Sequence, residues 1–215
     1  MKRRLFLAAG AALVIPGLSR AADANQPHPH QGVLPKFTGN PPVPALSESD
    51  LATLAQGKAV MKQVKSDTGG RGTAFQDVNA TPEKIWGKIT NLAMYPTWVD
   101  GVSLCEVYKT SGSEIDARFI IGAMGMKVEY FVKHSYHPDL GYMTWTLDYS
   151  RLSDLDDSVG FWHVEALADK PGWSRVVYSV QVKLNGWVPG FIEDMLANSG
   201  LTKATAWVKR ESEKA

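Results

Sequence analysis

The side chains best placed to do chemistry are few. His134 falls in the run MKVEYFVKHSYH (126–137), where residues two apart share a strand face. That puts Met126, Val128, Tyr130, Val132, His134 and Tyr136 on one face, and Lys127, Glu129 and Lys133 on the other. An inward histidine among Tyr130, Tyr136 and Trp145 suits general acid–base transfer, or the orienting of a carbonyl or hydroxyl. It equally suits a plain hydrogen bond to a neighbouring tyrosine. His163 follows Trp162, so it faces out if Trp162 faces in. The segment SRLSDLDDS (150–158) gathers Arg151, Asp154, Asp156 and Asp157. It lacks the glycine and terminal glutamate of a calcium loop and reads as a solvated, charged loop. His28-Pro29-His30 offers two imidazoles to copper or zinc without a third ligand. Cys105 is the only cysteine, which excludes an internal disulfide, and its strand setting makes it a buried, inert thiol. No nucleophile elbow, zinc-protease helix or phosphate loop is present, and Gly69-Gly70-Arg71-Gly72 opens a strand rather than a helix. Neither a metal nor a cofactor is expected.

The elements that must position these residues follow from periodicity. Ser47 caps a short helix that ends at Gly57, and strands are expected over 58–64 and 71–80. Thr81 and Pro82 open a second helix with Ile85, Trp86, Ile89 and Leu92 on one face. A kink is expected at Tyr95-Pro96, because the residue before a proline is pushed out of the helical region. Six strands then alternate over 102–110, 114–122, 126–137, 142–150, 158–168 and 174–184, joined by short turns as a meander. Residues 189–215 read as a long helix whose apolar stripe is Ile192, Met195, Leu196, Ala204 and Val208. A twisted sheet of about seven strands needs a cover for its apolar face, and only that last helix is long enough.

The first residues, MKRRLFLAAGAALVIPGLSRAADA, have a basic start, a short apolar run and small residues at the exit. Residues 1–21 are expected to be an export signal peptide cut after Ala21, with Arg3-Arg4-Leu5-Phe6-Leu7 similar to a twin-arginine signal. The processed protein is then periplasmic or secreted and has no stable membrane span. Losing Lys2, Arg3, Arg4 and Arg20 takes the formal charge from +1 to about −3. Such a balance gives no reason to expect nucleic acid as a partner. Residues 22–46 are Pro-rich, without periodicity, and read as an extended, mobile leader. Residues 47–70 read as an N-terminal helix and strand extension.

The run Thr81-Pro82-Glu83-Lys84-Ile85-Trp86, the elbow Asn91-Leu92-Ala93-Met94-Tyr95-Pro96-Thr97-Trp98-Val99, Gly160-Phe161-Trp162 and Ser174-Arg175-Val176-Val177-Tyr178 occur here in a telling order. In that order they resemble the START-like, Bet v 1-like superfamily (SRPBCC), closest to its polyketide cyclase/dehydrase or coenzyme Q-binding branch. The resemblance covers about residues 71–213. It implies an α+β helix-grip fold: a strongly curved antiparallel sheet wrapped around a long C-terminal helix, with a lipophilic cavity between them. The export signal and the Pro-rich leader depart from the usual intracellular members.

Within that frame the expected ligand-binding residues are Phe119, Ile121, Met126, Val128, Tyr130, His134, Trp145, Trp162, Tyr178, Val180 and Met195. Both faces of the Trp145 and Trp162 strands carry aromatics, so their register stays open. Met124, Leu155 and Trp187, with Leu152 and Val188, fall on one rim, where they form a lipophilic mouth or cap the core. The leading reading is a binder or carrier of a hydrophobic small molecule (lipid, isoprenoid or sterol-like), served by a membrane or lipid-transfer partner. The alternatives are a polyketide cyclase/dehydratase-like enzyme using His134 and a cavity tyrosine, and a ligand-free protein-interaction domain. Whether any reaction is catalysed stays open.

Overall fold

A computed structural model describes residues 21–66, 69–123, 126–184 and 200–214. Helix α1 (Glu48–Ala55) starts on a reciprocal cap: Ser47 Oγ accepts from the Asp50 N–H, and the Asp50 carboxylate accepts from the Ser47 N–H. Gly57, at φ 75°, lets the chain leave the helix in the left-handed region. Strands β1 (Val60–Ser66) and β2 (Gly69–Val78) follow, then α2 (Pro82–Ile89), which buries Ile85, Trp86 and Ile89. A 3-10 turn (Leu92–Met94) leads into the four-residue α3 (Tyr95–Trp98). The meander comprises β3 (Val102–Ser111), β4 (Glu114–Ala123), β5 (Met126–His137), β6 (Tyr142–Leu147), β7 (Leu155–Ala166) and β8 (Ser174–Leu184), and α4 (Gly200–Ser212) closes the described chain.

The kink sits elsewhere than expected. Tyr95 is helical at φ −56° and ψ −39°, while Asn91 leaves the helical region at φ −82° and ψ 68°. Pro96 lies in the first turn of α3, where its missing N–H costs nothing. The elbow is held by the Tyr95 hydroxyl, which donates to the Ile89 carbonyl at 2.6 Å.

All strands pair antiparallel in one sheet of order β1-β2-β8-β7-β6-β5-β4-β3. The sheet has eight strands rather than about seven, because β1 pairs with β2 from Val60 opposite Phe75 to Ser66 opposite Gly69. Strand β3 forms one edge and carries irregularities at Val102/Leu104 and Val107/Lys109.

Both faces of the sheet are buried over β2, β8 and β7. The inner face packs Ile85, Trp86, Tyr95, Phe119, Trp145, Trp162, Val176 and Trp207 into the main core. On the outer face Leu54, Val60, Phe75, Phe161 and Val177 form a second core, joined by Phe37 and Leu46. Aromatic residues on both faces of β7 thus have a simple cause: Trp162 points inward and Phe161 lies under α1 and the leader.

The 22–46 leader is therefore docked, not loose. Asp23 exchanges two backbone hydrogen bonds with Leu152, and the His28 N–H donates to the Tyr149 carbonyl. The 150–157 segment is correspondingly no solvated loop. Leu155 to Asp157 already belong to β7, and Leu152, Ser153 and Asp157 are buried. The Asp157 carboxylate, fully inaccessible, accepts from the N–H groups of Val33 and Leu34 at 2.6 and 2.7 Å, from Tyr149 Oη at 2.7 Å and from its neighbour Ser158 at 2.8 Å. A buried charge is tolerated where several donors replace its water. Replacing Asp157 with Ala strands these donors. We expect a loss of about 3 kcal/mol in urea-unfolding free energy, with residues 22–46 becoming the first site of limited proteolysis.

Candidate functional site: an aromatic chamber between sheet and helix

The inner face of the sheet, the elbow and α4 stand apart around a chamber of about 540 Å³. That volume falls in the range of small-molecule pockets. Its wall is built by cross-strand pairing. Trp145 on β6 lies opposite Gly160 on β7, and a Cβ at Gly160 would collide with the Trp145 ring and the Ser179 carbonyl. Glycine at this place lets the indole lie flat over the strand. Trp145 then stacks on Tyr178, with centroids 5.5 Å apart, and Tyr178 meets Trp162 at 4.5 Å. Phe119 and Tyr130 stack across β4 and β5 at 5.3 Å. Trp207 of α4 completes the ring, 5.0 Å from Tyr95 and 6.3 Å from Trp162.

Of the residues expected from the sequence, Phe119, Ile121, Tyr130, His134, Trp145, Trp162, Tyr178 and Val180 line the chamber, and Leu155 lines it too. Val128 packs instead with Leu147, Tyr149 and Leu155 and does not belong to the lining. Leu152 is buried beneath the docked leader rather than set on a rim loop. Met124, Trp187, Val188 and Met195, and the side chain of Met126, lie outside the described residues. His163 is half-buried, and its Nδ1 has no partner among the described residues.

Sequence reasoning expected the last helix to face the cavity but did not name the lining residues of the elbow, of the start of β3 or of α4. Tyr95, Val99 and Val102 form wall as well as plug, and Lys203, Ala204 and Trp207 close the opposite side. The spacing of Ala204, Trp207 and Val208 at i, i+3 and i+4 was the available signal. Asp100, Gly101 and Lys203 are exposed residues of the lining, so the charged groups gather where the chamber meets solvent.

Polar groups within are sparse. His134 Nδ1 contacts the Ile115 carbonyl at 2.9 Å. A carbonyl only accepts, so the proton sits on Nδ1, and Nε2 keeps a lone pair with no partner among the described residues. Burial depresses the imidazole pKa to about 4, so His134 is neutral at pH 7. Burial likewise pushes the Tyr130 and Tyr178 hydroxyls up, so both stay protonated. No described residue takes a hydrogen bond from either. Besides Ser158, whose Oγ accepts from Trp145 Nε1 at 3.4 Å, the chamber therefore offers the Tyr130 and Tyr178 hydroxyls as donors and one imidazole acceptor on a largely apolar surface. The Cys105 thiol, pushed up to about 12 by burial, is no nucleophile.

A second cluster lies against the leader. His28, His30 and Asp156 each offer one ligand atom, all within 4.8 Å, so the fold supplies the third group that the His-Pro-His run lacks. The ring nitrogens are already engaged. His28 Nε2 meets the Asp156 carbonyl, and His30 Nδ1 accepts from the Gly32 N–H, leaving a protonated Nε2 to face Asp156 Oδ1. Lys183 holds Asp156 from the other side at 3.1 Å. These bonds make a clasp between leader and β7.

With the chamber in view, comparison with known proteins becomes decisive for family. Residues 78–206 match the family described as "Polyketide cyclase / dehydrase and lipid transport". The chain belongs to that family. Its fold is shared with a STAR-related lipid transfer protein fragment from Xanthomonas axonopodis (TM-score 0.58, 14% identity, covering 73% of this chain and 93% of that one). A START superfamily protein from Mycobacterium smegmatis aligns with TM-score 0.55 and 17% identity over 66% of this chain and 97% of its own. Human StAR-related lipid transfer protein 5 aligns with TM-score 0.55 and 13% identity over 73% and 82% of the two chains. At such identities the likeness speaks to fold. No curated protein matches the chain.

Two outcomes follow. Because the folded pKa of His134 lies below that of an unfolded histidine, its contribution is fully present above about pH 6.5 and is lost as pH falls toward about 4. Relative to His134→Gln, the native protein should lose up to about 3 kcal/mol of unfolding free energy across that window in urea titrations. Gly160→Ala forces Trp145 off its strand. It should cost about 1–3 kcal/mol and alter the near-UV circular dichroism of the tryptophans.

Proposed function

We propose that the protein is an exported carrier of a hydrophobic small molecule of the lipid, isoprenoid or sterol-like kind. The observation that carries this reading is the chamber of about 540 Å³ walled by stacked aromatic rings. Removing apolar ligand surface from water contributes about 25 cal/mol per Å², so the wall itself supplies the affinity. The stacked pairs favour a guest with flat rings or conjugated segments. The Tyr130 and Tyr178 hydroxyls and His134 Nε2, without partners among the described residues, suit a single hydroxyl or carbonyl on that guest. The charged residues at the opening suit a guest with a polar end left toward solvent. An interior with this much space argues against a filled, ligand-free interaction domain. Among the described residues no helix is long and apolar enough to cross a membrane, which suits delivery by a partner at the membrane.

A second reading rests on His134. A neutral imidazole with its tautomer set by the Ile115 carbonyl can accept a proton from a bound polyketide-like substrate, with Tyr130 or Tyr178 as donor. His134→Phe separates the two: retained binding with lost turnover favours the enzyme.

The decisive experiment is native mass spectrometry of the processed protein from an exporting host, followed by solvent extraction and thermal shift with sterols, isoprenoid alcohols and fatty acids. A co-purifying lipophile, or a rise in melting temperature of about 3 °C or more, is expected. Trp145→Ala together with Tyr178→Ala should abolish it. A bare mass and no shift with any probe would remove the carrier reading.

A further inference from the structure

Ala22 docks on the domain through its main chain. Its backbone nitrogen lies 2.8 Å from Asp154 Oδ1. The next residue, Asp23, exchanges backbone hydrogen bonds with Leu152 at 2.9 and 3.0 Å, and its own carboxylate accepts from the Asn25 N–H and from Gln26 Nε2. Ala22 is also the residue that follows the expected scissile bond after Ala21. The nitrogen that the expected cleavage would free is thus the one that meets Asp154.

Asp154 is held ready from the other side. Its Oδ2 accepts from the Glu129 N–H at 2.7 Å, and its own N–H donates to the Glu129 carbonyl at 2.9 Å. Among the described residues its charge, however, has no counterpart. Asp148 faces Lys133 and Arg151, and Asp156 faces Lys183. No described lysine or arginine reaches Asp154. In the unprocessed chain its partner is a neutral amide N–H. Cleavage after Ala21 turns that nitrogen into an ammonium with three donors and a full charge. Charge-assisted bonds of this kind are about twice as strong as neutral ones.

We propose that Asp154 is a receptor for the new amino terminus: processing places a cation beside a carboxylate that has none among the described residues, and the ion pair locks the leader against the 148–157 segment. The proposal rests on the export reading above. Its consequence reaches the chamber, because that segment carries Leu155, part of the chamber wall. Processing would thus tighten a segment that borders the chamber. A chain still carrying its signal has the same residues but a weaker strap.

The test uses the processed chain beginning at Ala22, the same chain with an uncharged Gly-Ser pair ahead of Ala22, and Asp154→Asn in each. The free-terminus protein should melt about 2–4 °C above the extended one, and Asp154→Asn should erase that difference. Acetylating the amine of the free-terminus protein should have the same effect as the extension. Equal melting of the first two chains, or a difference that survives Asp154→Asn, overturns the proposal. Amino-terminal sequencing of the full-length gene product from an exporting host is the second arm. A start at Ala22 supports the proposal, and a start at any other processed residue overturns it while leaving export intact. An uncut product overturns the export reading along with it.

Discussion

One sheet must cover both of its apolar faces with elements much narrower than itself. Eight antiparallel strands span about 34 Å at the usual spacing, whereas a helix with its side chains is about 10–12 Å across. The inner face therefore cannot be sealed by α4 alone, and curvature with an aromatic elbow makes up part of the difference. What the elbow and helix leave uncovered is the chamber. The outer face faces the same problem over β2, β8 and β7, and solves it with α1 and the leader, which bury Phe75, Phe161 and Val177.

Much of the inner face was legible from alternation. Strict period two in 126–137 and 174–184 places Tyr130, His134, Tyr178 and Val180 on one side, and the structure puts those residues on the chamber wall. Alternation fails where both faces are buried, since Phe161 and Trp162 are both apolar and give no hint of which looks inward. It also fails for the leader. A Pro-rich run without periodicity carries no signal of where it rests, because its attachment combines backbone N–H groups reaching Asp157 with isolated side chains, Phe37 and the two histidines, that follow no repeat. The acids of 150–158 were misread for the matching reason: a carboxylate that binds main-chain donors looks, in sequence, like one that binds water.

The interior chemistry is set by subtraction. Burial keeps the tyrosines protonated and His134 neutral, so the chamber holds dipoles and no described charge deep inside. Such a lining discriminates by shape and by one or two hydrogen bonds, and it penalises any guest that brings an ion past the opening. The charged residues Asp100 and Lys203 stand where a polar end would remain wet.

The irregular pairing of β3 has its own consequence. An open sheet presents an unpaired border, and a flat border is a template on which another molecule's strand can grow. Two breaks of register within ten residues twist that border out of the straight line a newcomer would need. At this edge, addition of a strand from a second copy is thereby disfavoured.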